Sequence, residues 1–275
     1  MAGTNVPRAS LAIVGGTGTY GADLHAELHP DVAVRDEELV FATPWGESPA
    51  FTLLEVADRK CLHVRLHGWR RGVSRGRASR QVFSVLQRAG VRRIVSDAGV
   101  GSLNTLLDPG DLVIPDDFVD LTTDRDRGGM IVGDHLLIMR DPVCPLGRET
   151  LRAVAADLAP ERRLFPRGTY VVTEGPRFES PAEVRRLQQY GDIVGQSFAP
   201  EVWLARDIGA CYAGIYVVVN YGEGVVTEWS HDELKRIFED DSKLMARIIL
   251  AVAAAWPEDD EGCDCRALRR PSLLK

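Results

Sequence analysis

Lysine is nearly missing from this 275-residue sequence: it occurs only as Lys60, Lys235, Lys243 and Lys275, and arginine makes up the rest of the 33 basic residues. Basic charge is also in deficit, since 40 acidic residues leave a formal net charge of -7. A general nucleic-acid or acidic-membrane binder needs a basic surface to neutralise phosphates, so those classes are excluded. Long apolar runs are absent too. IILAVAAAW, residues 248–256, is far short of the roughly 18 residues a membrane span requires, and the polar stretch after Met1 has no secretory h-region. The expectation is a soluble cytoplasmic protein.

Cysteine is scarce. Five residues, Cys61, Cys144, Cys211, Cys263 and Cys265, are too few for a disulfide scaffold in a chain of this length. The close pair Cys263 and Cys265 has three readings: a strained local disulfide, part of a metal site, or a solvated tail pair. With no evident His or Cys partner in the sequence, the solvated pair is the simplest of them, and no metal is assigned. There is also no long linker, internal repeat or low-complexity tract. The reading is one domain over residues 9–256, a tail over 257–275 carrying Cys-x-Cys, and frayed ends at 1–8 and about 257–275.

What is present is 45% hydrophobic sequence arranged in alternating strand and helix patterns. SLAIV is a buried strand running into GGTGTYG, and VFATPWGESPAFTLLEV is two strands around a Pro/Gly turn. KCLHVRLHG is a strand, ASRQVFSVLQRAGV a helix closed by Gly90, and RRIVSDAGVGS a strand ending in small residues. DLVIPDDFVDLT and RGTYVVTEGPRF are further strands. SPAEVRRLQQYG is a helix whose Ser180, Pro181 and Glu183 form a good start, and CYAGIYVVVN is a buried strand. The last helix runs from about His231 to Trp256, with Leu234, Ile237, Phe238, Leu244 and Ile248 at helical spacing. The class is α/β, with a largely buried sheet.

Gly16-Thr17-Gly18-Thr19-Tyr20-Gly21 matches GxGxxG after a strand, which admits a nicotinamide-binding turn, a free-phosphate turn or a purely structural one. The remaining motifs weigh on that choice. IVGGTGTYG, TPWGESP, HGW, DAGVGSL, DPGDLVIPDDFVDLTT, EGPRFES, GQSFAPE and VVVNYGEGV follow one another in an order and spacing that resembles the purine nucleoside phosphorylase and methylthioadenosine phosphorylase family, from about residue 10 to the CDCRAL tail. The resemblance implies a single α/β domain around a mixed, partly barrel-like sheet flanked by helices. It also implies trimers or hexamers in which a neighbouring subunit can complete each site. The implied reaction is phosphorolysis of an N-glycosidic bond, with inorganic phosphate as co-substrate and no metal or organic cofactor.

By that resemblance Phe178 stacks the purine, and Glu179 and Asn220 read a 6-oxopurine. The chemistry agrees: a carboxylate accepts from the protonated N1 of hypoxanthine or guanine, and a carboxamide both donates to N7 and satisfies O6. Adenine-preferring members carry Asp where Asn220 stands. Taken alone, Glu179 reads as a helix-entry charge and Asn220 as a strand-end turn residue. Gln196 lies beneath the ribose and His231 near its 5′ position, where a lone His would be a cap neighbour. Thr17, His67 and Ser197 fall at phosphate positions.

The match departs from the family in three places. Leu66 occupies the position of the family's Arg, with Arg65 one residue away and therefore on the opposite face of an extended strand unless a bulge intervenes. Arg70 and Arg71 either compensate or are solvated loop charges. Ala98-Gly99 removes a polar side chain before the second glycine loop, and Gln196 replaces a Met. These departures keep two alternatives open: a glycosidic-bond enzyme using water or another nucleophile, and a catalytically silent nucleoside-binding protein.

Overall fold

Two strands buried on both faces form the spine of the sheet. β7 (Arg93–Ser102) and β14 (Cys211–Tyr221) run parallel over nearly their whole length. β14 accordingly reads as a continuous rather than alternating apolar run, while β7 buries Arg93, Ser96, Asp97 and Ser102 among its apolar residues. The computed structural model describes residues 5–19, 22, 29–67, 72–123, 130–226 and 231–272, and only the backbone of 231–240.

Before β7 come β1 (Leu11–Gly15), β2 (Val32–Leu39), the short pair β3 (Ala42–Thr43) and β4 (Gly46–Glu47), then β5 (Phe51–Val56) and β6 (Arg59–Arg65). After it come β8 (Leu112–Val113), β9 (Asp117–Asp120), β10 (His135–Leu137), β11 (Leu164–Phe165), β12 (Thr169–Val172) and β13 (Ile193–Gly195), and β15 (Arg269–Pro271) follows β14. The helices are α1 (Arg75–Ala89), α2 (Pro145–Leu158), α3 (Pro181–Leu187), α4 (Glu201–Ile208) and α5 (His231–Ala255). Eleven strands form one mixed sheet in the order β11-β8-β14-β7-β1-β6-β5-β2, with β13, β12 and β9 branching from β7.

The branch positions the site. The first half of β7 pairs with β1, in parallel, up to Val14 against Ser96. Its last residues instead pair with β13, antiparallel, at Gly101 and Ser102. Between them, at Asp97-Ala98-Gly99, β7 changes neighbours, and the carboxyl ends of β1 and β6 open there. Such switch points in α/β sheets leave a crevice beyond the strand ends.

Local chemistry fixes the helices much as the sequence reads. Ser74 caps α1 by accepting from the Arg77 N–H, Gly90 ends it at φ 81°, and Val82, Phe83, Val85 and Leu86 form its buried stripe. Ser180 and Glu183 make a reciprocal capping box on α3, with Pro181 in the first turn. Gly147 lets α2 lie against Trp256, since a Cβ there would sit 2.3 Å from the indole. Of the α5 stripe, Leu244 is half-buried and Ile248 buried; the side chains of Leu234, Ile237 and Phe238 lie outside the described residues.

Two expectations are corrected, and one element is added. DLVIPDDFVDLT is two strands: Pro115 cannot donate to a ladder, and the chain passes from β14 (through β8) to β12 (through β9) on either side of it. VAVRDEEL, to which the sequence pattern assigns no element, is the edge strand β2, whose charges face solvent. Residues 257–272 do not fray. Arg93 donates to the carbonyls of Pro257, Glu258 and Asp259, and β15 pairs with β10.

Candidate active site

The turn after β1 is shaped by a buried carboxylate. Asp97, fully buried within β7, accepts from the Gly16 N–H at 3.2 Å and the Thr19 hydroxyl at 3.1 Å. The turn glycines exist to let this happen. A Cβ on Gly16 would lie 2.1 Å from the Asp97 carbonyl oxygen and 2.2 Å from His67 Nδ1, and one on Gly18 would lie 2.6 Å from Asp97 Oδ2. The glycines of the GxGxxG match therefore answer to Asp97 and His67 rather than to a dinucleotide; Tyr20 and Gly21 lie outside the described residues. Burial pushes the Asp97 carboxyl up to about 6, against the opposing effects of nearby His67 and the hydrogen bonds from Gly16 and Thr19.

Thr17 is held by its own acceptor side: the Gly99 N–H donates to Oγ1 at 2.9 Å. The hydroxyl hydrogen remains available to an oxygen outside the turn. Gly99 and Thr17 are half-buried, whereas Ala98 is packed into the core.

His67, just past β6, is held at both nitrogens. Nδ1 lies 3.1 Å from the Asp97 carbonyl and Nε2 2.7 Å from Glu201 Oε1. Both partners only accept, so the arrangement is fully satisfied when both ring nitrogens carry hydrogen. Glu201 opens α4, is completely buried and also accepts from the Tyr212 hydroxyl at 3.2 Å. Burial raises its carboxyl, but His67 and the hydrogen bonds outweigh that and hold it below the usual range. Ser197, buried, lies 2.9 Å from the Tyr170 hydroxyl, and burial pushes that phenol up to about 12.

The strand register resolves the question of Arg65. β1 and β6 pair without interruption from Leu11–Cys61 to Gly15–Arg65, with no bulge. Leu66 accordingly turns into the core, while Arg65 is exposed and donates to the Ala22 carbonyl at 3.1 Å. Arg70 and Arg71 lie outside the described residues. Arg75, at the start of α1, is close enough to act electrostatically on Glu201 and Tyr170.

A second group lies across the ends of β14 and β7 and the short strands β13 and β12, which run antiparallel to them. Asn220 is buried opposite Gly101, after a register shift between Val218 and Asn220, and its carboxamide donates to the Tyr221 carbonyl at 2.7 Å. A Cβ at Gly101 would press on Val194 Cγ1 at 3.2 Å and would meet Asn220 Nδ2 at an ordinary 3.6 Å. Glu179 accepts from the Thr173 hydroxyl at 2.6 Å, one residue past β12. Phe178 beside it is 54% exposed. Gln196 follows β13 and donates to the Arg177 carbonyl at 3.0 Å, while Arg177 is paired with Glu183. His231 is the first residue of α5, and its side chain lies outside the described residues.

Thr17, His67, Ala98 and Gly99 thus meet at the fork in β7, and Glu179 and Asn220 flank the strand ends beyond it. Sequence reasoning missed Asp97, Glu201, Thr173 and Tyr170. The signal for the first was present, as an acid in the middle of a strand pattern flanked by apolar and small residues.

A mixed α/β sheet with polar groups gathered where β7 changes neighbours places this chain in the α/β class. The phosphorylase superfamily model matches residues 10–254, and this chain belongs to that superfamily. The 6-oxopurine nucleoside phosphorylase of Pyrococcus furiosus is 33% identical over 267 residues, spanning 93% of this chain and 96% of the relative. The S-methyl-5′-thioadenosine phosphorylase of Thermofilum pendens is 31% identical over 95% of this chain and 97% of its own length. A solved methylthioadenosine phosphorylase sourced from an antarctic soil metagenomic library aligns with a TM-score of 0.73 at 28% identity, covering 95% of this chain and 91% of that one.

Proposed function

We propose that this enzyme cleaves the N-glycosidic bond of a 6-oxopurine nucleoside, inosine, guanosine or a 5′-modified analogue, by phosphorolysis. The observation that carries the reading is the placement of Glu179 and Asn220. Thr173, which holds Glu179, and Asn220 are three strand steps apart across β12, β13, β7 and β14. Across the sheet that is about 14 Å between backbones, with a further offset of two residues along β12, a span that two side chains and a bicyclic base fill. Glu179 accepts from N1–H of the base, and Asn220 donates to N7 while meeting O6. Phe178 covers the ring, and Gln196 and His231 attend the sugar. Thr17 donates its free hydroxyl to phosphate beside the Ala98-Gly99 turn, and Ser197 is the second hydroxyl there. His67, engaged at both nitrogens, holds Asp97 and Glu201 in place around that turn.

In the reaction the C1′–N9 bond breaks with its electron pair leaving on the purine. A phosphate oxygen bonds to C1′ from the opposite face, giving ribose 1-phosphate, and the proton lost by the hydrogen phosphate ends, directly or through water, on the departing purine to give free base. Asn220 stabilises the charge growing on the leaving base, and the fixed dipoles of the site do not reorganise as it grows. The superfamily matched along residues 10–254 supports the reaction class, and the relatives named for 6-oxopurine and methylthioadenosine substrates bracket the base preference. The same reading carries inorganic phosphate as co-substrate, no cofactor at the reacting atoms, a cytoplasmic location and a trimer or hexamer whose neighbour covers the exposed Phe178. No helix among the described residues is long and apolar enough to cross a membrane.

Asn220→Ala tests the assignment. Loss of one such donor costs about 10²-fold in kcat, with the circular dichroism spectrum unchanged; normal turnover in the folded variant sinks it. One observation favours a second reading. Leu66 stands in the core where the family carries Arg, so a site that uses water in place of phosphate is its alternative, and base release independent of phosphate would select it.

A further inference from the structure

Four of the five cysteines converge although the sequence scatters them over three segments. Cys144 precedes the first turn of α2, Cys211 opens β14, and Cys263 and Cys265 lie in the segment after α5. Their four sulfurs lie within 4.8 Å of one another, and Cys211 and Cys263 are 3.6 Å apart. All four are free thiols; three are buried and Cys263 is half-buried. The Cys-x-Cys pair is therefore no solvated tail feature, and its missing partners are Cys144 and Cys211. They were not visible in the sequence because more than fifty residues separate each from the next.

We propose that Cys144, Cys211, Cys263 and Cys265 form a structural Zn²⁺ site that clamps the C-terminal segment to the sheet. Zinc holds thiolates at about 2.3 Å in a tetrahedron, which puts the sulfurs about 3.8 Å apart. The observed cluster meets that spacing with shifts of about an ångström. Convergence of all four on one point suits a single ion, and four protein ligands leave no open position, the mark of a structural rather than a catalytic zinc. On binding, four S–H bonds break, four Zn–S bonds form and four protons are released. The start of α2 at Cys144 favours the negative charge that results. A cavity of about 330 Å³ lined by Asp141, Asp260, Gly262, Cys263, Asp264 and Cys265 reaches the cluster and offers the ion a carboxylate-bearing entry.

The clamp would act on stability and not on turnover. Cys211 and Asn220 stand at opposite ends of β14, nine residues or about 30 Å apart. What the ion would secure is the segment that Arg93 and β15 already tie to the core.

The test uses the full chain purified under reducing conditions without chelator. Inductively coupled plasma mass spectrometry should find one zinc per chain, and Co²⁺ in its place should give the intense visible bands of a tetrahedral tetrathiolate. The Cys263→Ser/Cys265→Ser variant should lose the zinc and melt at lower temperature with kcat unchanged. If that variant does not fold, Cys263→Ser alone should retain Co²⁺ with bands shifted by loss of one sulfur. Absence of zinc with four thiols reacting freely overturns the proposal. So does an intact mass four hydrogens light, which would show two disulfides instead.

Discussion

Asp97→Asn is the perturbation whose size follows most directly from the site. The Asp97 carboxylate is fully buried, Oδ1 takes two hydrogen bonds, and Oδ2 has no hydrogen-bond partner among the described residues. Burial raises its pKa from 3.8 to about 6. A carboxyl raised on folding binds its proton more tightly in the native state, so stability is undiminished while both states are protonated. It falls as pH rises from the unfolded value to the folded one, and stays low above that. The full penalty is about 3 kcal/mol, of which about 2 kcal/mol develops between about pH 4.5 and about pH 7.5. Asparagine keeps the accepting oxygen for Gly16 and Thr19 and carries no charge. The stability of the variant relative to the wild type should therefore rise by about 2 kcal/mol across that interval, equivalent to about 3 °C in melting temperature for a chain of this length. Urea unfolding at a series of pH values measures it, and subtracting the two curves removes the titration of every other group. Parallel curves, or a variant that loses ground as pH rises, would refute the assignment of a strained buried charge beneath the turn.

Gly16→Ala should cost at least about 3 kcal/mol, because its Cβ meets backbone that cannot retreat, and Gly18→Ala should cost less, because it meets the end of a carboxylate; melting temperatures rank the two. Glu179→Gln should lower kcat/KM for inosine by about 10²-fold while leaving adenosine cleavage little changed, since the carboxylate is matched to a protonated N1; the ratio of the two specificity constants is the readout. An equal loss on both substrates would assign Glu179 a structural task through Thr173 instead.

What the sequence disclosed was whatever local chemistry decides. The cap of α3 is written in Ser180, Pro181 and Glu183, the end of α1 in Gly90, and β14 in an unbroken apolar run. Motif order brought Glu179 and Asn220 to notice before the strand register set Asn220 opposite Gly101 and a hydrogen bond tied Glu179 to Thr173 beyond β12. What stayed hidden depends on contacts across long separations. Asp97 lies 81 residues from Gly16, so the reason for the glycines is invisible until β1 and β7 are paired. Glu201 is 134 residues from His67 and looks like an ordinary helix-start acid. The charges of β2 masked its strand pattern because an edge strand can face water. The cysteines show the same limit, since only the fold gathers them.

The measurement that bears most directly on the function is release of hypoxanthine from inosine and of adenine from methylthioadenosine, each with and without phosphate. The account predicts hypoxanthine release that requires phosphate and yields ribose 1-phosphate, with the adenine substrate cleaved poorly. Base release without phosphate would show that a core Leu66 and an outward Arg65 mark a different nucleophile. Preference for methylthioadenosine would contradict the base reading by Glu179 and Asn220.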